Sequence, residues 1–348
     1  PSKSIKASDE YVLYQRPSGN PFDRIGDYDV RPSSKVEQYA VSSETQWDFS
    51  LRHRLVSLSA YRHFQFQPLS DDNTSLDLVQ GGTSTTSEQF SQELRIDSRW
   101  RKAESVFGLY YLSQTTQGAE YGLLGKDLTQ WVFGGLIRQQ LPFANRNNTG
   151  LLLNALIPPE TLAGMQVDTP FSQRTNSVGA FGSVNWHVTD QLDLSAGLRY
   201  TYEWKDTEVS RQRSGGNPNA SPLALTNNLA PLGQWLGINL GAVTFNQLLD
   251  DSVGGEFERQ LAIKEGAISG HAGASWKWSP TVMNYVTYSR GVKSGGVNLG
   301  VTGERVQPTF RPETVDSFEL GLKSLWWDER LLFNVAAYHA LVTDYQAL

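Results

Sequence analysis

Apolar residues recur at every second position of this chain, over stretches much longer than a soluble sheet needs. Leu192, Leu194, Ala196, Leu198, Tyr200, Tyr202 and Trp204 are apolar or aromatic, and Asp193, Ser195, Arg199, Thr201 and Glu203 alternate with them. Successive side chains of an extended chain point to opposite faces, so this pattern predicts one long strand with two unlike faces. Val178, Ala180, Val184, Trp186 and Val188 do the same just upstream, with Ser183, Asn185 and His187 opposed, and only Thr189, Asp190 and Gln191 separate the two runs. A tight antiparallel hairpin is the natural connection.

The arrangement repeats. Ile268, Ala272, Ala274, Trp276 and Trp278 oppose Ser269, His271, Ser275 and Lys277, and a Ser279-Pro280 turn follows. Phe318, Leu320, Leu322 and Trp326 oppose Ser317, Glu319 and Lys323, and lead into Leu331, Phe333, Val335 and Ala337. Phe90, Leu94 and Ile96 oppose Ser91, Glu93, Arg95 and Asp97, but Val106 to Leu112 is apolar at both parities, which leaves its facing open. Tyr39, Val41, Trp47 and Phe49 precede a run in which Val56, Leu58 and Ala60 form the apolar set against Ser57, Ser59 and Tyr61. The pattern gives about ten strands of roughly 11 to 14 residues, twice the ordinary length.

Connections alternate between short and long. Turns fall near 50–54, 100–104, 189–191, 279–281 and 327–330, whereas long loops cover about 67–87, 116–175, 206–266 and 293–312. Antiparallel strands trimmed on one rim and elaborated on the other follow the plan of a transmembrane β-barrel, whose closed sheet satisfies its own backbone and needs only alternate residues apolar. The tryptophans agree with this plan. Trp47, Trp100, Trp186, Trp276, Trp278, Trp326 and Trp327, seven of ten, lie beside short turns as an aromatic girdle, and Trp204, with Tyr200 and Tyr202, marks a second level. From the turn beside Trp186 to Trp204 is about 13 residues along one strand, about 44 Å, or about 30 Å of height at a 45° tilt. The competing reading is a soluble carbohydrate-binding β-sandwich, which predicts no preference for Trp near turns.

Composition removes other classes. No run approaches the roughly 18 to 20 apolar residues of a membrane-crossing helix. With no Cys and only five His, the chain offers no thiolate chemistry and little for a metal centre, so neither metal nor cofactor is expected. A net charge of −6 argues against a nucleic-acid partner. There is no G-x-S-x-G, no H-E-x-x-H and no complete P-loop, because GLLGKD (122–127) has the wrong spacing. No catalytic residues are assigned, and the chain is read as not an enzyme. Asp71-Asp72 and Asp250-Asp251 are read as solvated loop carboxylates in preference to a cation site. The opening PSKSIKASDE lacks an apolar leader core.

Once the strands are placed, several phrases stand out: FSQELR (90–95), AFGSVNWHVTDQLDLSAGLRYTYE (180–203), NYVTYSRGVKSGG (284–296) and RPETVDSFELGLKS (311–324). Together they resemble the barrel of TonB-dependent outer-membrane receptors. The ordered pair SRGVKSGG and ETVDSFELGLKS is the most specific part, and Val292 and Val297 stand where that family often has Phe.

The resemblance implies an all-β, antiparallel transmembrane barrel, of which residues 1–348 make about 10 of 22 strands, with the plug and the C-terminal strands outside the chain. It implies a multi-pass protein of the Gram-negative outer membrane. Such a receptor imports a scarce large solute, a ferric siderophore first, driven by the TonB-ExbB-ExbD system through the plug region. Uptake of vitamin B12 or an oligosaccharide, or passive flow through a porin, remain open. Glu93, Arg95, Arg199, Glu203, Glu319 and Lys323 are expected to face the lumen, paired among themselves or holding the plug. Tyr121, Trp131, Arg138, Arg146, Arg174, Arg211, Arg213 and Trp235 are the loop residues expected to stack on and ion-pair an anionic ligand. An equal alternative is that Trp131, Phe143, Trp235 and Phe245 only pack the loops together.

Overall fold

The computed structural model describes residues 20–23, 25–133, 155–227, 230, 244–298 and 307–347. Arg138, Phe143, Arg146 and Trp235 lie outside the described residues. The strands are β1 (Ser33–Ser50), β2 (His53–Asp71), β3 (Val79–Trp100), β4 (Ala103–Leu124), β5 (Gln166–His187), β6 (Leu192–Ser214), β7 (Phe257–Ser279), β8 (Val282–Lys293), β9 (Gly296–Val297), β10 (Thr309–Phe310), β11 (Glu313–Trp326) and β12 (Leu331–Thr343). Ten of them form one antiparallel sheet in the order β1-β2-β3-β4-β5-β6-β7-β8-β11-β12, and β9 pairs with β10 in a small separate hairpin. Helices α1 (Pro222–Thr226) and α2 (Phe245–Val253) lie in the long connections, and residues 128–133 are helical as well.

The register fixes the faces. One cross-strand row runs Trp47, Leu55, Ile96, Phe107, Gly182, Leu198, Gly270. The row beside it runs Val56, Arg95, Gly108, Phe181, Arg199, Ser269 on the opposite side. Side chains alternate across a strand, so the sheet has an apolar face and a polar one. Trp47, Trp100, Trp186, Trp204, Trp276, Trp278 and Trp326 all fall on the apolar face by this parity. Trp327 stands in the β11–β12 turn at φ +55°. Phe107, Leu109 and Tyr111 join the apolar face, which settles the run that alternation left open.

Two sequence expectations change. In β2 the apolar set Val56, Leu58 and Ala60 belongs to the polar face, where Val56 lies opposite Arg95 and is 2% exposed. Ser57 and Ser59 occupy the apolar face, and their hydroxyl groups are satisfied locally: Ser59 Oγ donates to Gln92 Oε1 at 2.5 Å, and Gln92 Nε2 donates to Ser57 Oγ at 3.0 Å. A polar trio that closes its own hydrogen bonds is tolerated on an apolar face, which hydropathy alone does not register.

The strands also run farther than expected. β3 to β7 reach 22 or 23 residues each, so the connections shrink to 72–78, 125–165, 215–256 and 294–312. The backbone ladder continues through stretches such as TTQGAEYG in β4, where alternation has faded. Alternation of hydrophobicity marks only the part of a strand with unlike surroundings on its two faces.

The long connections carry their own core. Leu78, Leu124, Leu128, Phe133, Ile157, Leu162, Met165, Phe245 and Leu249 are buried together. Helix α2 is fixed there by a capping box, Thr244 Oγ1 accepting from Gln247 N at 3.1 Å and Gln247 Oε1 from Thr244 N at 2.9 Å. Asp71 and Asp72 shape the short connection: Asp71 Oδ1 accepts from Asn73 N at 2.9 Å, and the two Asp72 oxygens accept from Thr74 N and Val79 N at 3.0 Å each. Partial burial pushes the Asp72 carboxyl up from its ordinary range, against these hydrogen bonds.

Candidate functional site

All six charged residues expected to face the lumen lie on the polar face, and each of them meets a partner from its own strand or from another. Arg95 Nη1 meets Glu93 Oε1 at 2.7 Å and its Nε meets Asp97 Oδ1 at 3.1 Å, a same-strand triplet at alternate positions. Gly108 sits opposite, where a Cβ would come within 2.8 Å of Arg95 Cβ and 2.5 Å of the Phe181 ring. Arg199 extends over Tyr110, 5.0 Å from the ring centre, and donates through Nε to Thr201 Oγ1 at 3.0 Å.

The phrases NYVTYSRG and FELGLKS meet across β8 and β11. Tyr285 OH donates to Glu319 Oε1 at 2.5 Å, Lys323 Nζ stands 5.4 Å from the Tyr285 ring centre, and Gly321 is Tyr285's register partner. A Cβ at Gly321 would fall 2.3 Å from Tyr285 Cε1 and Cζ, so only glycine accommodates the ring there. Glu319, Gly321 and Lys323 therefore form one cradle for a tyrosine. Replacing Gly321 by Val should lower stability by about 1–3 kcal/mol through overpacking, read as a shift of the denaturation midpoint. Adding Tyr285→Ala should restore part of the loss. A double variant no more stable than the single one rules out ring overlap as the cause.

Glu203 belongs to a second cluster. It lies directly opposite Glu265 in the β6–β7 register, an unfavourable like-charge pair unless it is compensated. Lys205 Nζ stands 2.8 Å from Glu203 Oε1 and donates to Gly295 O at 2.6 Å. The Ser294 hydroxyl sits between the two carboxylates, 2.6 Å from Glu265 Oε1, and Gly295 N donates to the same oxygen at 2.7 Å. The SGG phrase thus ties the start of connection 294–312 to the wall.

The residues expected to bind ligand separate by parity. Tyr121 and Arg174 lie on strands, on the apolar-face side of the sheet: Tyr121 OH donates to Pro68 O, and Arg174 is exposed. Trp131 follows the strands in a helical stretch and packs against the loop core. Arg211 and Arg213 are also strand residues, near the long-loop end of β6, and they point to the polar side. Loop placement of Tyr121, Arg174, Arg211 and Arg213 is therefore corrected: all four stand on strands, two on each side of the sheet.

Arg211 lines a cavity of about 590 Å³ under the loop core, with Gly81, Glu120, Thr169, Asp251 and Leu128 among its walls. Thr83, Glu120 and Thr169 share one register row of the polar face. Arg211 is 7% exposed; its Nε donates to Thr169 Oγ1 at 2.8 Å, its Nη2 stands 3.6 Å from Glu120 Oε2, and its guanidinium carbon lies 5.6 Å from the Phe257 ring centre. Burial pulls its pKa down, opposed by Glu120, yet a guanidinium stays protonated. A desolvated cation attracts an incoming anion more strongly than an exposed one does. Arg213 Nη1 is held by Asp250 Oδ1 at 2.9 Å, so it braces α2 against the wall. Glu120 and Thr169 were missed from sequence because nothing local marks them; only the register brings them to Arg211.

Comparison with known proteins accords with this geometry. The ferric yersiniabactin uptake receptor FyuA from Yersinia pestis is similar to the chain with a TM-score of 0.58 at 14% identity, over 90% of this chain and 37% of that one. The siderophore receptor PiuA from Acinetobacter baumannii gives 0.56 at 12% identity, over 97% and 44%. The copper transporter OprC gives 0.51 at 11% identity, over 90% and 40%. The chain spans less than half the length of these proteins, and identities this low speak for the fold alone. The family model described as TonB dependent receptor-like, beta-barrel matches residues 4–348. With that match across nearly the whole chain, the protein belongs to the TonB-dependent receptor β-barrel family.

Proposed function

We propose that this chain forms part of the wall of an outer-membrane receptor that captures an anionic, bulky solute at the long-loop rim and imports it with energy from the TonB-ExbB-ExbD system. A ferric siderophore is the favoured solute, since PiuA is named as a siderophore receptor and FyuA as a ferric yersiniabactin uptake receptor. The observation that carries this reading is Arg211, a buried cation facing a cavity on the polar face beneath the loop core. Transport of this kind needs no bond-making chemistry from the barrel, so the protein acts as a transporter and not as an enzyme. Glu93, Arg95, Arg199, Glu319 and Lys323 keep a second role in this reading, as hydrogen-bonding partners for a plug.

Equilibrium binding of a ferric siderophore to the receptor and to its Arg211→Ala variant tests the assignment. Loss of one charge-assisted contact should weaken an anionic ligand about tenfold to a hundredfold. A neutral oligosaccharide or vitamin B12 should be unaffected by the same change. Unaltered siderophore affinity rules out the cavity as the capture site.

A further inference from the structure

The cavity that holds Arg211 has more negative groups in its wall than positive ones. Asp71, Asp72, Glu120 and Asp251 line it together with that one guanidinium. Arg211 commits its Nε to Thr169, and its Nη2 lies 3.6 Å from Glu120, so neither Nη makes a hydrogen bond among the described residues. An anionic group can therefore reach the guanidinium, but it enters against the field of the remaining carboxylates. The same field acts at the mouth. Burial, a hydrogen bond to Asp71 and the charges of Asp71 and Asp77 push the Asp29 carboxyl up to about 6, and the adjoining Val30 N donates to Asp71 Oδ2 at 3.2 Å.

The imbalance is sharpest at the end of α2. Residues 251–254 form part of the cavity wall, so the helix ends there with its negative pole. The last turn holds Asp250 and Asp251 and no basic residue. A helix C-terminus favours cations, so the backbone disfavours both carboxylates where they stand. Asp250 is compensated by Arg213. Asp251 is exposed and has no partner among the described residues, which makes it the position where a positive charge from outside gains most.

We infer that the captured solute is zwitterionic: beside the anionic group that meets Arg211 it carries a protonated amine, which docks on Asp251 at the carbonyl end of α2. A primary amine with an ordinary pKa of about 10 keeps its charge at neutral pH and makes charge-assisted hydrogen bonds to a carboxylate. An inorganic cation would need several oxygens converging on one point, and the described residues contain no group of three acidic or histidine side chains placed to do so. The inference rests on the reading of this cavity as the capture site and adds a second charge to the solute.

Competitive retention tests it, with the full-length receptor and an equimolar mixture of two ferric trihydroxamates. Both carry one carboxylate, and they differ only at a terminal primary amine, free in one and acetylated in the other. The parent receptor should prefer the amine form by about tenfold or more. Asp251→Asn should erase that preference by weakening the amine form alone, and Asp251→Glu should keep it. Asparagine also relieves the repulsion from the helix end, so loss of α2 does not account for the result. Arg211→Ala should weaken both forms together. Equal retention of the two forms, retention of neither, or a preference that survives Asp251→Asn overturns the inference. If both forms are held equally and both are lost in Arg211→Ala, the amine assignment alone fails; if Arg211→Ala changes neither, the cavity is not the capture site.

Discussion

Leu320→Arg should abolish stable assembly of the barrel, whereas Ser289→Arg should leave it nearly unaffected. Leu320 is 60% exposed on the apolar face, six residues along β11 from Trp326, which places it near the middle of the apolar band. A cation at that depth of a β-barrel costs about 2–4 kcal/mol, because the guanidinium must drag water and headgroups inward or remain unsolvated. Ser289 is exposed on β8 at the opposite parity, beside Ser317, so an arginine there meets water. Heat-modifiable migration of the folded barrel in gels, together with its yield in outer-membrane fractions, reads both variants. Equal assembly of the two would mean that neither face meets hydrocarbon, and the membrane orientation would have to be abandoned.

The second large effect is expected in the loop layer. Phe245 is 1% exposed, its ring lies 6.5 Å from that of Phe133, and Leu78, Leu124, Leu128, Ile157, Leu162 and Leu249 share the same core. Truncating a buried phenylalanine to alanine typically costs about 3–5 kcal/mol, part transfer energy and part cavity. Among the described residues the layer has no second buried apolar cluster to absorb such a loss. Phe245→Ala should therefore release the connections 125–165 and 215–256 from the rim while the ten-stranded sheet persists. Limited proteolysis should cleave these connections much faster than in the parent protein, with the strand ladder still protected against hydrogen exchange. If cleavage is unchanged, the layer is held by something other than its core. Because Leu128 also lines the Arg211 cavity, the same variant should weaken solute capture without touching any ligand contact.

The site was only partly legible in the sequence. Arg95, Arg199 and Glu319 are recognisable as one face because each lies between apolar neighbours, and Glu93 and Lys323 each have one such neighbour, Leu94 and Leu322. Arg211 stood out as a candidate, but nothing near it announces Glu120 or Thr169, which lie about 90 and 40 residues away and reach it through the ladder. Tyr121 and Arg174 look equally suitable by residue type, and a single step of parity sends them to the other side of the sheet. The β2 facing failed for a related reason: the hydropathy of Val56 and Leu58 suggested lipid contact, whereas packing against the Arg95 row buries Val56 on the polar side.

The sequence by itself determined the strand class, the short turns, the girdle of tryptophans and the assignment of most strands to an apolar and a polar side. Those features are set by residues within a few positions of each other and by contact with a solvent that changes abruptly across the sheet. Only the tertiary structure decided how far each strand continues beyond that solvent boundary, which charges pair across strands, and where Arg211 finds a cavity. These depend on register between segments far apart in the chain, where backbone hydrogen bonds extend the ladder whether or not the side chains alternate.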